Sequence, residues 1–158
     1  MAPTTKPPLT LEQAGPRIRR YCAFQERSQQ EVRDRLYSWG LHSRETESLI
    51  ADLVAEGYLK EERFASAFVG GKFRIKKWGK NKIRHALKVK QVSEPLISQA
   101  LRSIDDHEYR KTLLKVMNER DAKLKEAHPF KRKQLLARYA IQRGYEPELV
   151  WQLLGEED

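Results

Sequence analysis

What this chain lacks narrows its identity first. It has one cysteine, Cys22, in 158 residues, so no internal disulfide can form, and a reducing compartment fits. Cys22 itself reads as a small buried hydrophobe. No apolar run approaches the roughly 18 residues of a membrane span, and the N-terminus carries no signal-like apolar region, so a soluble cytoplasmic protein with no membrane partner is expected. Glycine (8) and proline (7) are sparse. Strand-like alternation is missing. His42, His85, His107 and His128 lack ligand spacing, so neither a metal site nor a cofactor is expected. There is no phosphate loop or nucleophile elbow, and Gly70-Gly71 reads as a lone pair easing close helix approach. No set of residues meets the geometry of nucleophile, base and stabiliser, so no catalytic residue is assigned and the chain is read as a non-enzyme.

The most telling absence is local. From Ala65 to Ser93 there is no Asp or Glu, while Lys72, Arg74, Lys76, Lys77, Lys80, Lys82, Arg84, Lys88 and Lys90 fall in the same run. The chain has 31 Lys+Arg and 22 Asp+Glu; setting these nine aside leaves 22 basic residues against 22 acidic ones, so this stretch accounts for the whole formal charge of +9. A balanced protein with one concentrated basic element is built to meet something negative. Lys80, Arg84 and Lys88 recur every four residues and make one ridge. Like charges at that spacing repel by a few tenths of a kcal/mol per pair, roughly. By contrast, Asp105 to Glu126 alternates acids with bases as a solvated helix, with Tyr109, Leu113, Val116, Met117 and Leu124 inward. Lys131, Arg132, Lys133, Arg138 and Arg143 form a second, smaller basic patch.

What is present is helical period. Thr10 caps a first helix, which Gly15 and Pro16 are expected to kink or restart. Ser28-Gln-Gln-Glu31 reads as a capping box, with the Ser28 hydroxyl on the Glu31 amide and the Glu31 carboxylate returning to the Ser28 amide. A helix burying Val32, Leu36 and Trp39 stops at Gly40. Another starts at Ser43 with Leu49, Ile50, Leu53 and Val54 inward and ends at Gly57.

This grammar repeats. Val32, Leu36 and Gly40 are answered by Ile83, Leu87 and Gln91, then by Leu136, Ala140 and Gly144. Leu41 corresponds to Val92 and Tyr145. Leu87 to Ala140 and Leu96 to Leu149 both advance by 53 positions. Glu94-Pro95 and Glu146-Pro147 open the last helix of copies two and three. The expected fold is all-α: three tandem three-helix repeats at 10–57, 58–104 and 105–154, stacked into an elongated, curved rod, with a disordered tail at 1–9 and a short tail at 155–158. On the helix from about Glu61 to Lys77, the expected core stripe is Phe64, Phe68, Gly71 and Ile75. Phe73 lies opposite, beside Val69, either packed on a neighbouring repeat or exposed as an anchor.

These residues resemble the RecX family of bacterial regulatory proteins. The resemblance runs from about Tyr21 to Leu154 and rests on Arg27-Ser28-x-x-Glu31-Val32, Gly57-Tyr58-Leu59, Arg63-Phe64-Ala65-x-x-Phe68-Val69, Gly79-x-x-x-Ile83-Arg84-x-x-Leu87 and Arg143-Gly144-Tyr145. Departures are Lys60-Glu61-Glu62 in place of a more typical acidic cap, and Gln91 where a glycine is usual. The resemblance implies a monomeric helical-repeat protein lying in the groove of the RecA recombinase filament. It further implies weaker binding to single- and double-stranded DNA, and inhibition of ATP hydrolysis and strand exchange in recombination, DNA repair and the SOS response. Two other readings stand beside it: a stand-alone helical DNA-binding module, and a passive scaffold for another acidic partner.

Overall fold

A computed structural model describes residues 7–156. Residues 1–6, in the expected N-terminal tail, and 157–158, in the expected C-terminal one, lie outside the described residues. Among those described, all regular structure is helical: α1 Leu11–Phe24, α2 Gln29–Ser38, α3 Ser43–Ala55, α4 Glu61–Arg74, α5 Lys80–Val89, α6 Glu94–Arg102, α7 Asp106–Asp121, α8 Pro129–Gln142 and α9 Pro147–Glu156. None is long and apolar enough to cross a membrane. Among the described residues two compact units emerge, residues 7–64 with 90–92, and residues 65–89 with 93–156.

In the first unit, Ala14, Ile18 and Cys22 of α1 pack with Val32 and Leu36 of α2, with Leu49, Ile50 and Leu53 of α3, and with Leu41 and Leu59. Full burial of a leucine such as Leu36 or Leu53 contributes about 1.5–3 kcal/mol. Thr10 caps α1 in a reciprocal box with Gln13. The expected break at Gly15-Pro16 does not occur, because α1 runs unbroken through Pro16. The ring removes one hydrogen bond, to Glu12, while Ala14, Ile18 and Cys22 hold the same face in the core. Val54 is also displaced from its expected place and stands 46% exposed, since Leu49, Ile50 and Leu53 already fill the α3 stripe. Trp39 is only partly buried. Next to it, the Leu9 amide donates to the Trp39 carbonyl at 2.9 Å.

The α2 cap forms by half. Ser28, fully buried, accepts the Glu31 amide at 3.0 Å. The Glu31 carboxylate does not return to Ser28; it takes the Lys90 ammonium at 2.8 Å. A cation from far along the chain outcompetes the local amide because a charged donor makes the stronger bond.

In the second unit α4 contributes Ala65, Val69 and Phe73, spaced by four and all buried. This corrects the expected stripe. Phe64 is buried, but Phe68 is only partly so and Ile75 is 78% exposed, lying beyond the last residue of α4. Phe73 takes the inward place because a ring awaits it, that of Tyr109, at 5.8 Å between centroids. Gly70 and Gly71 do not mediate close helix approach either. A side chain at Gly71 would meet nothing, and one at Gly70 only the Arg74 guanidinium. Tyr109, Leu113, Val116 and Met117 line the buried side of α7 as expected, with Leu124 half-buried beyond its end. Asp105 caps the helix on the Glu108 amide.

The repeat register is visible in the backbone. Gly40, Gln91 and Gly144 all have left-handed φ, +87°, +63° and +102°. The next residues, Leu41, Val92 and Tyr145, are all buried. Leu41 and Tyr145 close their helices identically, with amide bonds of 3.2 Å to the carbonyls of Leu36 and Ala140. Gln91 is the one of the three that carries a Cβ in this conformation, at a cost that glycine escapes. Gln91→Gly is therefore expected to stabilise the protein by about 0.5–1 kcal/mol, raising Tm by about 2 °C in a calorimetric scan. Gly144→Ala, whose Cβ would stand 2.7 Å from the Lys82 amide nitrogen, is expected to cost about 3 kcal/mol in the same measurement.

Candidate partner and nucleic-acid interface

The basic run is held in place by a docking of two turns within the second unit. The Gly79 amide donates to the Arg143 carbonyl at 2.8 Å, and the Asn81 amide to the Gly144 carbonyl at 2.9 Å. No Cβ fits at Gly79, since one built there falls on the Gly144 carbonyl and the Tyr145 nitrogen. Lys77, itself left-handed at φ 56°, presents its carbonyl to the Tyr145 hydroxyl at 2.8 Å. The Arg143 guanidinium donates to the Lys76 carbonyl at 2.6 Å. The turn from α4 to α5, which bears the basic residues, is thus tied by backbone bonds to the turn from α8 to α9.

Beneath it runs an aromatic file, Phe73, Tyr109 and Tyr145, with Tyr109 and Tyr145 at 5.3 Å. The Tyr109 hydroxyl accepts the Lys80 amide at 2.9 Å and donates to the Glu146 carboxylate. Burial, reinforced by that bond, raises the Tyr109 pKa well above its ordinary value. Burial likewise pushes Tyr145 up to about 12.

The nine cations divide by what they touch. Arg84 and Lys88 both reach Glu94, the first acid after the run, and Lys90 pairs with Glu31. Among the described residues the other six, Lys72, Arg74, Lys76, Lys77, Lys80 and Lys82, meet no carboxylate at ion-pair distance. Lys72 and Lys82 instead place their ammonium groups 4.8 and 4.5 Å from the Trp78 ring centre. Lys80 lies 4.8 Å from that of Tyr109. A ring attracts a cation without neutralising it, so these three are oriented and still charged. Of the Lys80, Arg84 and Lys88 ridge, Lys80 alone keeps its charge unopposed.

The second patch does not act as one group. Arg132 is committed to structure, its guanidinium bridging the Asp121 carboxylate and the Asp121 and Glu126 carbonyls. Lys131 and Arg138 are exposed, Lys133 half-buried. Arg143 belongs with Lys76 and Lys77, 67 and 66 positions away. Sequence spacing cannot show that; the tight turn residues at Gly79 and Gly144 were the available sign. Cys22 belongs to the core of the first unit, where burial pushes its thiol up to about 11, leaving it protonated.

A family model described as "RecX, second three-helix domain" matches residues 61–101, the span of α4 to α6. Over 122 residues, 76% of the chain, the sequence is 30% identical to the regulatory protein RecX of Clostridium perfringens strain 13. The chain belongs to the RecX family. The RecX of Prosthecochloris aestuarii is 27% identical over 136 residues, 86% of this chain and 87% of that one. In fold, the RecX crystal structure from Lactobacillus salivarius aligns with a TM-score of 0.83, covering 92% of this chain and 95% of that one at 15% identity. The chain spans 57% of the length of its Clostridium perfringens relative.

The RecX-like motifs now have physical meanings. Ser28 is a buried cap, and Gly57 turns left-handed at φ 82°. Arg63 bonds the Glu26 carboxylate and the Gly57 carbonyl. Gly79 and Arg143-Gly144-Tyr145 are two sides of one docking. Because Tyr109 and Tyr145 hold their protons more tightly folded than unfolded, their contribution is intact below about pH 10. It is lost as pH rises toward the folded pKa, about 12 for Tyr145. Denaturant titrations above pH 10 should show stability falling by about 1.4 kcal/mol per pH unit for each tyrosine. Tyr145→Phe should flatten that decline.

Proposed function

We propose that this RecX-family chain is a non-enzymatic inhibitor of the RecA recombinase that binds in the groove of the RecA filament on DNA and suppresses ATP hydrolysis and strand exchange. The observation that carries this reading is the set of six cations from Lys72 to Lys82 with no carboxylate opposite. Three of them, Lys72, Lys80 and Lys82, lie on the rings of Trp78 and Tyr109, and the turn that bears the set is tied down through Gly79 and Gly144. Relatives over most of the chain bear the name regulatory protein. Positive charge held in a rigid frame suits a nucleoprotein surface, because the ordering cost is met on folding and not on binding. Several modest contacts of this kind slow release from a polymer without any one strong contact.

A direct DNA-binding role is favoured by one feature, the two lysines flanking the half-buried Trp78, since cations beside an aromatic face suit a single strand. Both readings are separated by titrating the protein into pre-formed RecA filaments while following ATP turnover, beside the same titration into bare single-stranded DNA. Lys72→Glu with Arg74→Glu and Lys82→Glu spares every ion pair described above. It is expected to weaken inhibition at least tenfold, roughly the effect of losing a few charge contacts, with helicity by circular dichroism unchanged. Full inhibition by that variant would remove these residues from the interface. Tight, salt-sensitive binding to bare DNA with no effect on the filament would replace the first reading by the second.

A further inference from the structure

The second unit holds a cavity of about 260 Å³ whose wall gathers five cations, Lys76 and Lys77 after α4, Arg120 and Lys123 around the end of α7, and Arg143 after α8, with Ile75, Val116 and Tyr139 as its apolar part. One carboxylate, Glu119, shares it. None of the five cations is ion-paired among the described residues. Two of the guanidiniums are gathered on one ring, with Arg120 at 4.8 Å and Arg143 at 5.7 Å from the Tyr139 centroid. Like charges brought this close repel, and the folded chain offers little to offset them. Arg143 adds a second and independent sign. Its terminal nitrogen is spent on the Lys76 carbonyl, but its Nε is buried and meets no acceptor among the described residues. A buried charged donor without a partner is costly, and such groups mark places where an acceptor is missing.

We propose that this cavity is a phosphodiester pocket that seats one backbone phosphate of single-stranded nucleic acid, resting on the reading above that this surface meets nucleic acid. Cofactor-sized sites begin at about 300 Å³, so the space suits one phosphate and its sugar, and not a whole cofactor. The Arg143 fork supplies geometry: a small rotation of the guanidinium presents Nε to a phosphate oxygen while Nη2 keeps the Lys76 carbonyl. Arg120 and Lys123 close the outer rim. Exposed Ile75 and the ring of Tyr139, both in the wall, give the adjoining base an apolar seat.

The test is fluorescence anisotropy of a labelled oligothymidylate across a salt series, with no recombinase present. Arg120→Gln with Lys123→Gln is expected to weaken binding about tenfold and to lower the slope of log K against log salt by about 0.7, one single-strand phosphate contact. Lys111→Gln with Lys115→Gln removes two exposed charges of α7 outside the cavity and is expected to change Kd less than twofold. Arg143→Lys keeps the charge without the fork and is expected to weaken binding while the melting curve stays cooperative; if it unfolds, the Arg120 and Lys123 pair decides. Equal losses in both double variants would mean a diffuse field and overturn the pocket. So would a pocket effect seen only with phosphatidylglycerol vesicles or inorganic phosphate, or no oligothymidylate binding by the unaltered protein even where filament inhibition holds. Loss of filament inhibition with this binding intact would instead count against the regulatory reading and leave the pocket standing.

Discussion

The second unit depends on two backbones passing too closely for any side chain between them. Gly79 and Gly144 meet at a separation where a single methylene on either would displace the opposing chain. The result is a pair of backbone hydrogen bonds that join turns more than 60 residues apart. Much of the basic run in the unit is fastened to that junction. Lys76 and Lys77 lend it their carbonyls, Trp78 precedes it, Lys80 and Lys82 follow it, and Arg143 comes from the other side. Tyr145 sits beneath, fully buried. A cationic surface of long side chains would ordinarily lose much of its binding energy to ordering; here the backbone that carries them is already ordered.

Charge is handled with the same economy. An acid-free run would be self-repelling, and among the described residues two carboxylates come in to relieve it, Glu31 for Lys90 and Glu94 for Arg84 and Lys88. These serve the C-terminal side of the run, where α5 must pack against α6. For Lys72, Lys80 and Lys82 aromatic rings take the place of acids. An exposed ion pair is worth about 0–1 kcal/mol, so a few more would have been easy to evolve and would have cost the surface its charge. Rings orient the ammonium groups and leave their field intact.

Most of the fold was legible because its turns demand unusual backbone. Gly40, Gln91 and Gly144 align in sequence, and all three turned out left-handed, since the same helix-ending geometry recurs in each copy. Buried pairs such as Val32 and Leu36, Ile83 and Leu87, Leu136 and Ala140 followed from spacing alone. The reading failed at α4, where apolar residues cover two stripes and period cannot rank them. Phe73 over Ile75 was decided by Tyr109, a residue on another helix. Glu31 failed as a returning cap for a related reason, since the better partner lies 59 positions away. The basic run was plain in the sequence; which of its members stay unopposed, and that Arg143 joins them, depends on distances no local pattern encodes.

Arg143 shows how closely stability and charge are joined in this unit. Its backbone carbonyl receives the Gly79 amide, its side chain holds the Lys76 carbonyl, and its remaining Nε is buried and meets no acceptor among the described residues. A neutral residue of similar length could serve the first role and part of the second. A lysine would add the charge as well, but only a guanidinium sets a second donor rigidly beside the first, and that unmet donor is a defect that packing alone gives no reason to keep. The defect makes sense if the position answers to something the free chain does not contain, an anion whose oxygen completes the fork.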